Sequence, residues 1–494
     1  MMEKVIGRKE EQNMLERAYK STKAELIAVY GRRRIGKTFL VEIFFTKKKC
    51  IFVHITGLEN GTLAEQLANF TKVVEDTFYN GQIKLKVPES WRDGFELLLN
   101  IMNIMKHRVE KAKIIIFFDE LPWLATKRSR FLQNLDYYWN RYWARMPNMK
   151  IVVCGSAASW MIDNLIHGKG GLHNRVTMRI PLAPFTLCET KQYLKANRML
   201  YSDKQILMLY MIMGGIPFYF NMLNRSLSAI NNINKLCFCK KGILIDEFKE
   251  LYSSLFSDHE AYEELIKLIA RSRKGIERIK LLSKAKLSSD GGTFNKRIEA
   301  LEASDFIVSL KPYQFKKRGT YYRIIDEYSL FYLSWIEPKL RSIRKLEKSK
   351  GYWEAVTQTA SWKSWAGYAF EALCYKHLDK IRNALGVAVT AEAGSWQYIL
   401  EKGAKGDGAQ IDLLFDCQDD SIVICEIKFT DKPFVIDKQY AKNLQNKLNV
   451  FRKITGTKKQ LLVAIISANG IKPTMYSEEL INWVVTLDDL FVES

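Results

Sequence analysis

Long apolar runs are missing from this sequence, and so are the patterns that build disulfide scaffolds or zinc sites. No apolar stretch approaches the ~20 residues that a membrane span needs. The opening residues, Met-Met-Glu-Lys-Val-Ile-Gly-Arg, lack the apolar stretch of a secretory leader. The eight cysteines (Cys50, Cys154, Cys188, Cys237, Cys239, Cys374, Cys417 and Cys425) are scattered, with no C-x-x-C pair. The six histidines do not cluster near them, which argues against zinc and for reduced, buried thiols. A cytoplasmic protein with no membrane partner is expected. Acidic residues are the other shortage: 54 Asp plus Glu against 76 Lys plus Arg leave a net charge of +22. That excess favours a polyanion such as DNA as partner, although a merely basic soluble protein has the same balance.

What is present is a folding chain. At 494 residues and 47% hydrophobic content it is too long for one ordinary core, so several domains are expected. The organising stretch is 26–38. The apolar run Leu26–Tyr30 ends at Gly31, and Arg32, Arg33, Arg34, Ile35 and Gly36 lead to Lys37 and Thr38. Phe39, Leu40, Val41, Ile43 and Phe44 follow with helical spacing. A Gly-x-x-x-x-Gly-Lys-Thr loop between a buried strand and a helix start is a cradle for phosphates. Gly31 and Gly36 let backbone N–H groups converge on one anion, Lys37 reaches the β- and γ-phosphates, and Thr38 holds Mg²⁺. ATP with Mg²⁺ is the expected ligand.

Other stretches answer to this loop. Residues 51–57 read as a second buried strand, with His54 in the core. Lys113–Glu120 is an apolar strand ending in two acids: Asp119 suits the Mg²⁺ shell, and Glu120 suits orienting and deprotonating a water. A further strand, 150–156, ends at Ser156, which either senses the γ-phosphate or caps a helix. Gly7 and Arg8, in a turn before the first helix, can pack over the adenine or simply open that helix. The glycine-rich segment 168–175 ends at Arg175, which either stabilises transition-state charge, in its own subunit or a neighbour's, or is an ordinary surface arginine. A nucleotide-dependent homo-oligomer is therefore expected as a possible partner state.

Downstream, Gly214-Gly-Ile-Pro217 separates two helices, and 227–245 reads as a connection. Two or three helices and then a hairpin across 246–338 follow the winged-helix order, with Lys296 and Arg297 on the helix that would meet DNA. A basic run at 339–350 precedes Trp353, Trp362 and Trp365, and marks a boundary. Near the C-terminus, Gln410-Ile-Asp412 opens an apolar strand, and Glu426 and Lys428 alternate within the next. Period two puts Glu426 and Lys428 on one face. If the strands pair, Asp412 joins them: two carboxylates for Mg²⁺ and a lysine for the attacking water. Glu371, on the preceding helix, could complete the metal shell. A simple Glu–Lys pair on a half-exposed hairpin is the other reading.

The Asp…Glu-x-Lys pattern resembles the PD-(D/E)XK nuclease fold. The whole chain resembles the P-loop ATPases of the AAA+/STAND kind called archaeal-type ATPases. The matching pieces are Ile6-Gly-Arg8, Gly31–Thr38, Phe118-Asp-Glu-Leu-Pro-Trp123, Val153–Ser159, Gly170–Arg175, Gly214–Pro217, Asp326-Glu-Tyr328 and the C-terminal Asp412, Glu426 and Lys428. The resemblance implies an α/β chain: a P-loop NTPase parallel sheet at 1–190, a helical lid at 191–245, a winged-helix segment at 246–338 and an α/β restriction-endonuclease-like domain at 339–494. It also implies ATP hydrolysis, with either DNA cleavage or DNA binding and signalling without cleavage.

Overall fold

The computed structural model describes residues 4–107, 112–166, 171–256, 258–272, 275–285, 291–310, 313, 319–346, 351–399 and 407–493. The chain divides between Pro184 and Phe185 into two compact units. Among the described residues no helix is long and apolar enough to cross a membrane.

The first unit is built on five parallel strands: β1 (Glu25–Tyr30), β2 (Cys50–Thr56), β3 (Lys113–Asp119), β4 (Met149–Gly155) and β5 (Met178–Pro181). Their spatial order is β2-β3-β4-β1-β5. Strands β1, β3 and β4 are apolar runs buried on both faces, as helices covering a parallel sheet require. Helices α1 (Lys9–Lys20), α2 (Lys37–Thr46), α3 (Leu63–Tyr79), α4 (Trp91–Ile104) and α5 (Phe131–Arg141) complete the unit. Thr62 and Glu65 start α3 with a reciprocal capping box. One core cluster centres on Phe95, which meets Trp91, Phe118, Phe131 and Trp143 ring to ring. Strand β2 departs from expectation. It is one of the two edge strands, and its residues alternate between buried and half-buried, so His54 lies outside the core.

The second unit opens with α6 (Leu187–Ala196), α7 (Asp203–Met213) and α8 (Pro217–Asn221). Gly215 is required between the last two, because a Cβ there would lie 1.9 Å from the Phe185 carbonyl oxygen. The expected connection at 227–245 contains a helix, α9 (Ala229–Cys237). Asparagines disguised it: Asn232 is buried and satisfied by the carbonyls of Asn224, Leu227 and Ser228, so it occupies the apolar face. After a helix at Glu247–Leu255 come α10 (His259–Ala270), β6 (Ile276–Glu277), α11 (Arg278–Lys284), α12 (Gly291–Ala303), β7 (Ile307–Leu310) and β8 (Tyr321–Ile324). The three strands form an antiparallel sheet in the order β6-β8-β7.

Aromatic rings pack around Trp353, which follows the basic run at 339–350. Trp353 stacks on Phe238 with centroids 5.1 Å apart and meets Phe331, Trp335 and Trp362 edge-on. Such pairs contribute about 0.5–1.5 kcal/mol each beyond area burial, so the segments on either side share one core. Helix α13 (Ala360–Lys376) leads to a mixed five-stranded sheet: β9 (Glu392–Tyr398), β10 (Ala409–Asp416), β11 (Ser421–Lys428), β13 (Gln460–Ser467) and β15 (Trp483–Val485), ordered β15-β13-β11-β10-β9. A short ribbon pairs β12 (Phe434–Val435) with β14 (Ile471–Lys472), and α14 (Lys438–Thr455) crosses between β11 and β13.

His377, just past α13, makes this unit acid-sensitive. Its ring Nδ1 faces the Leu373 carbonyl at 3.0 Å, and its Nε2 faces the Leu187 N–H at 3.4 Å. Only a neutral ring, donating from Nδ1 and accepting at Nε2, serves both. Burial pushes its pKa from 6.5 down to about 4. A depressed pKa in the folded state gives stability that is whole above pH 6.5 and is lost as pH falls toward 4. Urea melts at pH 7 and pH 4 should show that loss shrinking by about 3 kcal/mol in His377→Gln. An identical pH response in the variant would assign the acid sensitivity elsewhere.

Candidate functional site

In the first unit, β1 delivers the chain to Gly31, whose φ of 148° lies outside the range side chains adopt. A Cβ there would sit 2.1 Å from the Leu182 carbonyl oxygen, so only glycine lets the loop pass β5. Gly36, at φ 90°, is the N-cap of α2, and Arg34 also takes a left-handed turn at φ 71°. Arg32 and Ile35 are buried, Arg33 is half-buried, and Phe39 faces outward on α2. Lys37 is buried and donates to the Gly31 carbonyl at 2.9 Å and the Arg32 carbonyl at 2.7 Å. Burial lowers its pKa, while Cys154, Glu120 and Asp119 oppose the shift. Among the described residues its hydrogen bonds go to loop carbonyls, an arrangement that suits an ammonium to an incoming anion.

The other groups converge through the sheet. The Thr38 hydroxyl donates to Asp119 Oδ2 at 2.8 Å. His54 Nε2 lies 3.8 Å from the same oxygen, its ring stacked on Phe117. The expected core histidine is thus a neighbour of the strand-end acid, because β2 and β3 pair with Thr56 opposite Asp119. Burial alone would raise the Asp119 pKa; hydrogen bonds from His54, Thr38 and Cys154 outweigh it and hold the carboxyl below its usual range. Glu120 takes φ 48°, a strained setting for this residue type. That turn aims its carboxylate at β4, where the Ser156 hydroxyl donates to Oε2 at 2.9 Å and the Ser156 N–H donates at 3.3 Å. Strand β4 lies between β1 and β3, which is how a residue 36 positions away reaches Glu120.

Hard oxygens from Thr38 and Asp119, side by side at the loop mouth, suit Mg²⁺. Arg8, also left-handed and buried, is the N-cap of α1 and donates to the Ile35 carbonyl at 3.4 Å, and Gln12 donates to the Gly7 carbonyl. The Gly7-Arg8 turn therefore abuts the phosphate loop. Arg175 is exposed, its N–H donating to the Leu172 carbonyl, and no described contact joins it to the loop. Residues 167–170 of the glycine-rich segment before it lie outside the described residues.

The second constellation is in the second unit. Strands β10 and β11 pair antiparallel with Leu413 opposite Cys425, which places Asp412 across from Glu426. Between β10 and β9 the register slips from Ile411 to Leu414, so Asp412 sits on a bulge. Its Oδ2 accepts from the Ile427 N–H at 3.3 Å and its Oδ1 from Gln410 Nε2 at 3.3 Å. Glu426, almost fully buried, accepts at Oε2 from Lys428 Nζ and from the Tyr440 hydroxyl, both at 3.1 Å. Its Oε1 accepts from Lys447 Nζ. Burial, then Glu426 and Glu371, push the Asp412 carboxyl up to about 6. Glu426 feels the same burial, but Lys428 and Lys447 overcome it and hold its carboxyl low.

Tyr440 and Lys447 were not singled out from the sequence. Their signal was a spacing of seven on α14, two turns along one helix face. Glu371 stands differently from expectation. Its carboxylate is paired with buried Arg323 of β8, whose guanidinium lies over the rings of Tyr368 and Tyr375. It is near enough to raise Asp412, yet it is engaged by its own cation. Arg297, expected to face DNA, is paired with Asp258. Among the described residues no group of three or more His, Cys, Asp or Glu is set to hold a metal. Two carboxylates still suffice for Mg²⁺, which keeps waters and substrate phosphates as its other ligands. Asp412 and Glu426 fit that use.

Residues 6–223 match the family described as an ATPase domain predominantly from Archaea. An uncharacterized protein of Methanocaldococcus jannaschii is 23% identical over 432 residues, covering 86% of this chain and 88% of that protein. An uncharacterized ATP-binding protein of the same organism is 52% identical over 44 residues, 9% of this chain and 75% of that protein. Among solved structures, the Walker-type ATPase of Pyrococcus abyssi is 20% identical with a TM-score of 0.46, covering 67% of this chain and 96% of that one.

Proposed function

We propose that this chain, whose residues 6–223 are an ATPase domain of the archaeal type, is an ATP-hydrolysing switch joined to a metal-dependent DNA-cleaving module. The observation that carries the first half is the network Thr38–Asp119 and Glu120–Ser156 around the Gly31–Thr38 loop. Lys37 leaves the loop carbonyls for the β- and γ-phosphates. Thr38 and Asp119 would hold Mg²⁺, which would neutralise phosphate charge when bound. Glu120 orients a water and takes its proton, and Ser156 holds that carboxylate in line. Lys37→Ala should weaken binding of a fluorescent ATP analogue by about tenfold to a hundredfold, the worth of a charged hydrogen bond. Equal affinity in the variant would remove the loop as the nucleotide site.

The second half rests on Asp412, Glu426 and Lys428 in one cluster, with Glu426 buried and the other two half-buried. The two carboxylates would hold Mg²⁺, and Lys428 would hold or deprotonate the attacking water. A helix at Glu247–Leu255 and then the order α10–β6–α11–α12–β7–β8, with its three-stranded antiparallel sheet, support reading 246–338 as a winged helix that meets DNA. DNA affinity should fall linearly on a log–log plot against salt, as each neutralised phosphate releases a counterion. Binding that is flat from low to moderate salt would take nucleic acid off the list of partners. The alternative reading, DNA binding and signalling without cleavage, is favoured by Glu371 being closed by Arg323. Plasmid and linear DNA incubated with Mg²⁺ or Mn²⁺, with and without ATP, separates the two.

A further inference from the structure

Every acid around Asp412 is already balanced. Glu371 has Arg323, and Glu426 has two ammonium groups at once. Those two differ. Lys428 is two residues from Glu426 on the same strand and shares Oε2 with the Tyr440 hydroxyl. Lys447 comes from α14, 21 residues away, and sits on Oε1. Its side chain is 23% exposed while that of Glu426 is 2% exposed. Lys428 is as exposed, at 25%, so what sets Lys447 apart is that Oε1 takes its ammonium on a long, flexible stem from a separate helix, while Oε2 is held from two sides.

We infer that Lys447 is a resident counter-cation that occupies the place of a divalent metal ion on Glu426 Oε1 and must withdraw for the ion to enter. The inference rests on the metal-site reading of Asp412 and Glu426 given above and names what regulates it. The physics is competition for one carboxylate. A buried anion needs a cation, because an uncompensated charge there is costly. An ammonium meets that need without the strict octahedral demands of Mg²⁺. Metal must then outbid a covalently tethered competitor whose effective concentration is high. The displaced ammonium swings on its four-carbon stem toward solvent, where an incoming phosphodiester would meet it. Metal loading and phosphate binding are coupled by that one side chain. A merely structural ion pair between α14 and β11 predicts no such competition, only lost stability on truncation.

The test is calorimetric titration of the full chain with Mn²⁺ alone, at fixed pH and ionic strength. Lys37→Ala is included as background, so that the nucleotide site contributes equally to every curve. Lys447→Ala, and Lys447→Met, which keeps an apolar stem for packing, should each bind Mn²⁺ at least tenfold more tightly than the parent. Lys442→Ala removes an exposed charge from the same helix and should leave the affinity unchanged, which excludes a general effect of net charge. Binding by the Lys447 variants alone, with none in the parent, is the strongest support. Equal or weaker binding than the parent overturns the inference and leaves the metal site standing. No binding by parent or variants overturns the metal-site reading itself, and the inference with it.

Discussion

Glu120→Gln is expected to bind ATP as the parent does and to hydrolyse it about 10²–10⁴-fold more slowly, the usual worth of a positioned base. The amide keeps the shape of the side chain and can still accept from Ser156, but it cannot take a proton from water. Ser156→Ala should act in the same direction and more weakly, since it removes what holds Glu120 and not the base itself. The two should be strongly non-additive, because a serine that only orients Glu120 has nothing to orient in the double variant. Phosphate release, measured beside nucleotide affinity, decides the matter. Parental turnover in Glu120→Gln would move the base elsewhere, and a loss of affinity without loss of turnover would make the acid a binding group. The strained φ of 48° at Glu120 points the same way, since a site pays such a cost where a side chain must be aimed.

The second large effect is expected at Asp412, Glu426 and Lys428. If they form one centre, alanine at any of them removes nearly all DNA cleavage, and double variants lose little more. Asp412→Ala and Glu426→Ala should also weaken Mn²⁺ binding, each taking away a hard oxygen, whereas Lys428→Ala should keep the metal and lose the chemistry. DNA binding should survive all three if the basic surface supplies it. Glu371 separates local chemistry from support. Its carboxylate neutralises buried Arg323, so Glu371→Ala should cost about 3–5 kcal/mol of stability by stranding that guanidinium. An effect on metal affinity with no change in melting would instead place it in the ion's shell. A plain hairpin pair would give only about 0.2–1 kcal/mol per variant and no metal phenotype, which a cleavage gel beside a metal titration would reveal.

The sequence alone determined the parts whose chemistry is contiguous. Gly31 to Thr38 lie within one short loop, and a strand before it and a helix after it are the setting a phosphate cradle needs. Asp119 and Glu120 end an apolar run, and Glu426 and Lys428 share a face because side chains in a strand alternate. In each case the spacing along the chain is also the spacing in space. The tertiary structure decided whatever depends on which strand lies beside which. Ser156 reaches Glu120 because β4 runs between β1 and β3, and His54 reaches Asp119 because β2 pairs with β3. Arg323 meets Glu371 across 48 residues, and Lys447 meets Glu426 across 21. Trp353 packs on Phe238 and Phe331, rings that lie 115 and 22 residues before it. Periodicity tells which face of an element is apolar, but the partner of a buried charge is chosen by packing between distant segments. No local pattern carries that choice.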